Sequence, residues 1–341
     1  MMKPCVFKID PCNIDMELIK RAVEALHNRA LVAFPTETVY GLGANALDSK
    51  AVAGIFKAKD RPLDDPLIVH ISEIKDLYKI TAEVPPEAEK LINRFWPGPL
   101  TIILKKSELI PEIVTTGLDT VAVRMPSNTI AKKFISIAGV PIAAPSANLF
   151  GRPSPTTARH VIDDLNGRID IVLDGGSTEI GIESTVVEFD RGKIIILRPG
   201  GISLEELQLI SGEVMLVSDT EQTEKAPGKY PRHYSPKAEV VLMEDNSFQK
   251  ERVLSKAREM SSQGRKVGIM VKQEHENEYK GFKVKVLGPE NDARICAARL
   301  FSILREFDSE ETEVIIVESI QEKGLGCAVM NRLRKAAGPV A

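Results

Sequence analysis

The regular alternation of amphipathic helical segments with short apolar runs is the feature that most constrains the fold of this chain. Residues 14–29 carry apolar side chains at the helical period, and residues 30–34 then form a short apolar run that Pro35 ends. The same alternation continues to about residue 216 and resumes at residue 239. Because each such element buries one apolar face or stripe against another, the pattern predicts an α/β fold.

Further strands are predicted at residues 67–71, 100–104, 120–123, 142–144, 169–173, 185–189 and 194–197. Further helices are predicted at residues 50–57, 86–95, 130–138, 157–164 and 204–210. This mixture favours a mixed sheet covered by helices, but the strand order cannot be read from the alternation.

A proline-rich segment separates two parts of the chain. Residues 218–237 contain three prolines, little apolar content and no period, which is typical of a linker. The length of 341 residues also exceeds what one hydrophobic core usually serves. We therefore predict a first domain at residues 1–217, a linker at 218–237 and a second domain at 238–341.

The second domain shows the same kind of alternation over a shorter length. Strands are predicted at residues 239–243, 266–271, 283–287 and 314–317, and helices at 248–263, 293–306 and 328–337. Strands that alternate with helices in this way predict a small Rossmann-like, doubly wound α/β domain.

Charge, cysteine usage and hydropathy exclude several classes of protein. No apolar run approaches the ~18 to 20 residues that span a bilayer, so we expect a cytoplasmic protein without a membrane partner. The four cysteines form no CxxC pair, so no metal-ligating residues are predicted. The net charge of −3 gives no overall basic field, so an RNA partner would need a local basic patch.

The first candidate motif is the segment Pro-Thr-Glu-Thr-Val-Tyr-Gly-Leu-Gly at residues 35–43, directly after a predicted buried strand. Hydroxyls, a carboxylate and two glycines at this point predict a tight backbone turn at a sheet edge, where α/β folds bind ligands. Its spacing alone fits equally well a plain strand-to-turn connection whose threonines cap the next segment.

The second candidate motif is the cationic cluster of Lys57, Lys59 and Arg61 at the end of a predicted helix. Three cations within five residues can neutralise a triphosphate, and the guanidinium of arginine suits bidentate contact with phosphate. Cations are also favoured at helix C-termini by the helix dipole, and without other support a solvated helix end is the better interpretation.

The third candidate is a set of polar side chains at or near the ends of predicted strands: Arg124, Ser146, Asn148, Ser184, Thr185 and Arg198. Their repetition predicts a site assembled at one edge of a sheet. The sequence contains no Walker phosphate loop, no dinucleotide-binding glycine motif and no zinc-protease or serine-hydrolase motif.

Together these motifs resemble the threonylcarbamoyl-AMP synthase family, of the YrdC type, in its long form with an extra C-terminal domain. The resemblance is carried by residues 35–43, the Lys59–Arg61 pair, the Ser146–Asn148 triplet, residues 233–236 and the glycine and Met-Asn-Arg segments at 324–326 and 330–332. It implies a mixed twisted sheet of the YrdC type in the N-terminal domain.

The activity that the resemblance implies is the joining of L-threonine, bicarbonate or carbon dioxide, and ATP into threonylcarbamoyl-adenylate, with release of pyrophosphate. Mg²⁺ is the implied cofactor, bound with ATP. Separate tRNA-modification proteins then use the product on the adenosine beside the anticodon of certain tRNAs, so tRNA is a possible downstream partner.

The resemblance also implies roles for individual residues. Lys59 and Arg61 are the implied catalytic cations. The implied threonine contacts are Thr38, His70, Arg124, Ala144 and Ser184. The implied ATP contacts are Lys57, Arg61, Asp65, Thr120, Ser146, Asn148, Ser154, Arg198 and Tyr234. Because Tyr234 lies in the predicted linker, we expect this segment to fold back over the nucleotide.

Two positions depart from the family pattern. Asp65 stands where the family usually has asparagine, and a carboxylate near phosphates is unfavourable unless a cation accompanies it. Asp60 stands between Lys59 and Arg61 where the family usually has glycine, and it is expected to offset the cations locally.

Two other functions compete with this interpretation. A non-catalytic RNA-binding module would show steep salt dependence of binding and no need for threonine. A carbamoyl-transfer maturation enzyme would need acylphosphatase and zinc-finger segments, and the cysteine spacing does not provide the latter.

Overall fold

The computed structural model of the chain describes residues 3–217, 225, 228, 230, 232–244 and 249–338. It consists of two compact units: an N-terminal unit of Met1–Phe150 and Ser154–Lys229, and a C-terminal unit of Gly151–Pro153 and Tyr230–Ala341. Much of the linker predicted at 218–237, namely residues 218–224, 226, 227, 229 and 231, lies outside the described residues, as does residue 248 of the helix predicted at 248–263.

The N-terminal unit begins with β1 (Cys5–Lys8), α1 (Met16–His27), β2 (Val32–Pro35), β3 (Tyr40–Asn45), α2 (Ser49–Lys59), β4 (Ile68–His70), α3 (Ile74–Ile80), α4 (Pro86–Phe95) and β5 (Leu100–Lys105). It continues with α5 (Glu112–Thr115), β6 (Thr120–Arg124), α6 (Thr129–Ala138), β7 (Ile142–Ala143), α7 (Ala158–Leu165), β8 (Ile171–Asp174), β9 (Thr185–Asp190), β10 (Lys193–Arg198), α8 (Leu204–Gln208) and β11 (Val214–Leu216).

The strands of this unit form one mixed sheet in the order β1-β8-β2-β3-β7-β4-β6-β5-β9-β10-β11. Parallel pairs such as β4 with β6 and β5 with β9 alternate with antiparallel pairs such as β5 with β6 and β9 with β10. The predicted α/β class with a mixed sheet is confirmed, and the order is non-sequential, as no local pattern could indicate.

The described residues of this unit include three hydrophobic cores against the sheet, whose strands point successive side chains to opposite faces. On β2, Val32 and Phe34 belong to the core that also contains the buried side chains of α1 and α6. Ala33 belongs instead to the core that contains the buried side chains of α2, α4 and α7. Around β2 the sheet is therefore covered by helices on both faces, whereas the third core is formed by residues of β4, β5, β6 and β9.

The last turn of α2 carries the first two residues of the cationic cluster, Lys57 and Lys59. The Asp48 side chain caps its start by accepting from the backbone N–H of Lys50 (2.9 Å). Asp60 closes the helix in the left-handed region with φ of 52°, and its N–H returns to the last turn. Lys57 and Lys59 are two residues apart in α2 and therefore point to opposite sides of the helix, so Lys59 is buried and Lys57 is exposed.

The tight turn predicted around Gly41 and Gly43 is wrong. Both glycines lie inside β3, which pairs antiparallel with β2. A Cβ on Gly43 would lie 2.9 Å from Ile142 Cγ2 and 2.9 Å from Phe34 Cε1, so the glycine serves close packing between strands. Residues 36–39 are consequently the connection of a β-hairpin.

Strands β1 and β11 and helices α3 and α5 were not predicted. Both of these strands lie at the two ends of the sheet order and expose most of their side chains, so neither shows a clear apolar alternation. The two helices are short, with seven residues in α3 and four in α5.

The C-terminal unit contains β12 (Glu239–Met243), α9 (Gln249–Ser262), β13 (Val267–Lys272), a 3₁₀ turn (Gln273–His275), β14 (Lys283–Gly288), α10 (Ala293–Ser309), β15 (Val314–Glu318) and α11 (Gly326–Ala337). Its strands form a parallel sheet in the order β12-β15-β13-β14. Helix α9 shares one core with alternate residues of β13 and β15. Gly268 faces Phe307 of α10 on the other side, which confirms the predicted doubly wound arrangement.

None of the helices in the described parts of the chain is long and apolar enough to cross a membrane.

Candidate active site

The ends of several strands of the N-terminal unit meet at one edge of its sheet. His70, the last residue of β4, lies beside Arg124, the last residue of β6, in parallel register. Arg124 also lies opposite Thr101 near the start of β5. Strand β9 runs parallel to β5 with Thr185 beside Leu100, so Ser184 reaches the same edge.

Arg124 lies at the centre of this edge and is only 3% exposed. Its Nη2 donates to Glu37 Oε1 (2.7 Å) and its Nη1 donates to Thr38 Oγ1 (2.9 Å). Its Nε donates to the Gly98 carbonyl (3.3 Å). A guanidinium held on three sides in this way presents a fixed fork, the geometry that suits a carboxylate.

The hydroxyls of Thr36 and Thr38 have a fixed donor and acceptor order. Thr36 Oγ1 donates its one proton to the Val39 carbonyl (2.6 Å), so Thr38 must be the donor in the 2.8 Å contact between the two hydroxyls. Thr38 Oγ1 accepts from Arg124, which leaves it only an acceptor lone pair for a ligand. Thr38 can therefore accept from an O–H or N–H group of a ligand, but it cannot donate to a carboxylate.

His70 is a neutral imidazole at this edge. Burial, the larger cause, and the nearby Arg124 charge together lower its pKa to about 3. Its ring packs edge-on against Phe34, with centroids 6.1 Å apart. Within the described residues its buried Nδ1 has no hydrogen-bond partner, which is the condition expected of a group that meets a ligand.

Ser184 is fully buried and held from two sides. Its Oγ lies 2.7 Å from Thr101 Oγ1, and Arg198 Nη2 donates to its carbonyl (2.9 Å) and to its Oγ (3.2 Å). Because Ser184 accepts from Arg198, its own proton is available to Thr101 or to a ligand. Arg198 closes β10, the antiparallel neighbour of β9, so the hairpin geometry brings the two residues together.

Lys59 holds the Ser-x-Asn segment rather than projecting to solvent. Its Nζ donates to the Asn148 carbonyl (2.6 Å) and to the Ser146 carbonyl, and its side chain is 1% exposed. Ser146 forms an isolated bridge with Gly41 of β3, next to the threonine-rich hairpin. Lys59 thus shapes the backbone that carries two of the predicted ATP contacts.

Arg61 and Asp65 form a buried ion pair. Arg61 Nη2 lies 2.9 Å from Asp65 Oδ2, and Arg61 Nε donates to the Asp65 carbonyl (3.1 Å). Asp65 Oδ1 accepts from the backbone N–H of Gly228 (3.3 Å). Asp60, by contrast, pairs with Arg168 (2.7 Å), so the acid expected to offset the cations has a different partner.

The other predicted site residues are placed as follows. Ala144 is buried and donates its N–H to the Ile68 carbonyl (2.9 Å), so it adjoins β4 near His70. Ser154 is buried and hydrogen-bonds Glu183. Thr120 begins β6, four residues and therefore about 13 Å from Arg124 at its other end.

Tyr234 belongs to the C-terminal unit. It adopts a left-handed φ of 60°, and the Arg332 guanidinium lies 5.0 Å from its ring centroid. Its ring also lies 5.6 Å from that of Phe301. A non-glycine residue in this region is strained, so the surrounding contacts determine its conformation.

Three residues that the sequence interpretation did not select contact the predicted site residues directly: Glu37 binds Arg124, Thr101 binds Ser184, and Glu183 binds Ser154. Thr101 is the only hydroxyl within the apolar run at 100–104, and this was the available indication of a special position. Glu37 was visible as the one charged residue of the 35–43 segment.

Comparison with known proteins shows the family of this chain. Residues 24–200 match the family model Sua5_yciO_yrdC, described as "Telomere recombination", and residues 202–338 match the model described as "Threonylcarbamoyl-AMP synthase, C-terminal domain". The threonylcarbamoyl-AMP synthase of Pyrococcus abyssi is 48% identical over 328 residues, covering 94% of each chain. That of Bacillus subtilis is 44% identical over 324 residues, covering 94% of this chain and 93% of its own.

A solved structure extends the likeness to three dimensions. The crystal structure of P. abyssi Sua5 complexed with L-threonine has a TM-score of 0.91 at 45% identity and covers 97% of each chain. Since the relatives match along nearly the whole of both chains and both domain models are present, the chain belongs to the threonylcarbamoyl-AMP synthase family, in the form that carries the additional C-terminal domain.

Proposed function

We propose that this protein joins L-threonine, bicarbonate or carbon dioxide, and ATP into L-threonylcarbamoyl-adenylate and releases pyrophosphate. The observation that carries the proposal is the buried, fixed fork of Arg124, with Thr38, His70 and Ser184 around it at one sheet edge. Threonine as the amino acid is supported by the related P. abyssi protein, whose crystal structure holds it.

The polarity of the site fits a β-hydroxy amino acid. Arg124 offers N–H donors to the α-carboxylate, while Thr38 offers only an acceptor and therefore suits the substrate hydroxyl or amine. Valine has the shape of threonine but would leave a buried polar group without its partner. A site of this kind discriminates far more strongly against an analogue that lacks a hydrogen-bonding group than against one that lacks only a methyl group.

The reaction proceeds in two bond-forming steps. The neutral threonine amine attacks carbon dioxide and forms the N–C bond of a carbamate, while the electron pair of one C=O π bond moves to oxygen and the proton that the nitrogen then loses passes to water. A carbamate oxygen then attacks the α-phosphorus, and the bond to the bridging oxygen of the β-phosphate breaks as pyrophosphate leaves. With a pKa of about 3, His70 is too weak a base to take the amine proton at neutral pH, so its role is a hydrogen bond.

The phosphate side of the reaction needs orientation and neutralisation of charge more than a strong base. Arg61 is the proposed contact of the triphosphate, and Lys59 acts by fixing the loop of Ser146 and Asn148. Because Asp65 is already neutralised by Arg61, its carboxylate does not stand as an isolated negative charge in this region.

Mg²⁺ is proposed to arrive with ATP. Across the described ranges, no group of three or more His, Cys, Asp or Glu side chains could hold a metal ion. In nucleotide sites, phosphate oxygens and water supply most of the Mg²⁺ ligands beside one or two carboxylates. Asp65 already pairs with Arg61, so Glu183, the buried carboxylate that hydrogen-bonds Ser154, would be such a carboxylate, and the ion would supply neutralisation of the phosphates.

The proposed product is a mixed anhydride of a carbamate and a phosphate, which makes it a reactive acyl donor. A separate protein would have to transfer it to an acceptor amine before water destroys it. We propose the adenosine of a tRNA as that final acceptor.

The proposal is tested by pyrophosphate release with ATP and Mg²⁺. We expect release that requires both threonine and bicarbonate, with serine weaker and valine at background. Equal release with valine, or release that is independent of threonine, would show that the fork at Arg124 binds something else.

A further inference from the structure

We propose that Glu37 is a positioning residue that fixes the guanidinium of Arg124 for the carboxylate of the amino-acid substrate; this inference rests on the proposed function. Neither oxygen of the Glu37 carboxylate is directed to solvent, since the residue is 5% exposed. Oε1 accepts from Arg124 Nη2 (2.7 Å) and Oε2 accepts from the backbone N–H of Ser127 (3.1 Å).

A count of the Arg124 donors shows what this contact achieves. A guanidinium has five N–H groups, and Glu37, Thr38 and Gly98 each take one. Among contacts within the described residues, one N–H remains on each terminal nitrogen. Two N–H groups on neighbouring nitrogens are the arrangement that binds a carboxylate through both of its oxygens.

The Glu37 backbone is held independently of its side chain. The Glu37 carbonyl accepts from Ile180 N (2.8 Å) and the Thr38 carbonyl accepts from Gly181 N (3.1 Å). The turn that contains Glu37 is closed by Thr36 Oγ1, which donates to the Val39 carbonyl. The hairpin connection therefore does not need the carboxylate for its shape, and the carboxylate is left to act on Arg124 and Ser127.

Glu37 also supplies the countercharge that permits Arg124 to be buried. A buried charge is costly unless it is paired and hydrogen-bonded. With Glu37 in place, Arg124 is oriented before the substrate arrives, and binding does not have to fix this side chain. The expected consequence is selective: the amino acid should depend on Glu37, and ATP should not.

The test compares the full-length wild-type chain with Glu37→Gln and Glu37→Asp. Glutamine keeps the size but loses the charge, and its amide N–H₂ cannot accept from Ser127. Aspartate keeps the charge but is one methylene too short for the 2.7 Å contact. By calorimetry, we expect the dissociation constant for L-threonine to rise by at least ~10-fold in both variants, the range for a lost hydrogen bond to a charged group.

Steady-state kinetics should show the same selectivity, with a raised KM for threonine and an unchanged KM for ATP. Glu318→Gln is the matched control, since Glu318 is a buried carboxylate of the C-terminal unit that accepts from Lys272 N (2.9 Å) and Tyr279. It should lower the melting temperature and leave threonine affinity as in the wild type.

Wild-type threonine affinity in folded Glu37→Gln would overturn the inference. If that variant does not fold, wild-type affinity in Glu37→Asp overturns it instead. A wild-type protein that binds threonine but releases no pyrophosphate would refute the proposed function and leave the role of Glu37 standing on the binding data. A wild-type protein that binds no threonine would refute both.

Discussion

At the scale of single residues, the candidate active site contains three buried cations and the groups that they contact. Lys59, Arg61 and Arg124 are 1%, 8% and 3% exposed. Arg61 is paired with Asp65 and Arg124 with Glu37, while Lys59 donates to backbone carbonyls. Removing one member of such a pair leaves an uncompensated charge in the interior, so stability and chemistry change together and must be measured apart.

Arg61→Ala should abolish pyrophosphate release and also destabilise the protein by about 3 kcal/mol or more, because Asp65 loses its countercharge. Adding Asp65→Asn removes the orphaned charge, so the double variant should recover most of the stability and remain inactive. Chemical denaturation and the pyrophosphate assay separate the two effects. Full activity in either folded variant would remove Arg61 from the phosphate site.

The buried His70 should make stability depend on pH. Its pKa is about 3 in the folded chain and 6.5 in an ordinary setting, so below pH 6.5 the unfolded chain binds a proton that the folded chain does not. The free energy of unfolding should therefore fall as pH falls, with about 2 kcal/mol lost to this group by pH 5.

His70→Gln cannot take up this proton, so it isolates the contribution of His70 from that of other groups. Denaturation at a series of pH values should give a smaller loss between pH 7 and 5 for His70→Gln than for the wild type. An identical dependence of the unfolding free energy on pH in the two proteins would mean that the pKa of His70 is not lowered in the folded chain.

The sequence indicated several polar residues of the candidate site, but it did not indicate which residues they contact. Arg124, Ser184 and Arg198 stand out in the sequence because each follows or precedes an apolar run. The contact of Arg124 with Glu37 joins positions 87 residues apart, and that of Ser184 with Thr101 joins positions 83 residues apart. Such pairs depend on strand order, which a single sequence does not encode locally.

Strand β3 determines the site at the scale of secondary-structure elements. It follows the Thr36–Val39 turn and pairs with β2 on one side and β7 on the other. Gly43 permits the close approach of Phe34 and Ile142 from those neighbours. A side chain here would push β3 away from the strands that align it.

Gly43→Ala should therefore destabilise the protein by about 1 to 3 kcal/mol, the usual cost of overpacking a core. The matched control is Gly212→Ala, since a Cβ at Gly212 meets nothing within 4 Å. The control should stay within about 0.5 kcal/mol of the wild type in chemical denaturation. Equal stability of the two variants would contradict the packing role of Gly43.

Element prediction succeeded where burial imposes a clear period. In the C-terminal unit the strand predicted at 239–243 matches β12, and those predicted at 266–271, 283–287 and 314–317 match β13, β14 and β15 within one residue at each end. It failed for β3, where glycines needed for packing indicate a turn, and for the exposed edge strands β1 and β11. The apolar periodicity of a segment indicates which of its side chains are buried, and β1, β3 and β11 lack the apolar periodicity of a typical strand.

At the scale of the whole molecule, the family resemblance predicts that the C-terminal unit supplies Tyr234 as an ATP contact. Within that unit Tyr234 is contacted by Arg332 and Phe301. The structure of the unit therefore gives its α11 and α10 helices a specific role in holding Tyr234.

Truncation after residue 216 should cripple turnover because Tyr234 is lost, and full-length Tyr234→Ala should do the same with the rest of the chain present. The pyrophosphate assay, run with circular dichroism as a check on folding, measures both. Undiminished turnover by the truncated chain would show that the linker is a passive tether.

The most direct test of the central claim is to follow ¹³C-bicarbonate into the nucleotide product by mass spectrometry, with ATP and threonine present. The account predicts an adenylate that contains threonine and one ¹³C, formed in equal amount with pyrophosphate. A threonyl-adenylate without the label would show that the site activates the carboxylate of threonine instead, and would contradict the assignment of Arg124 as the partner of that carboxylate.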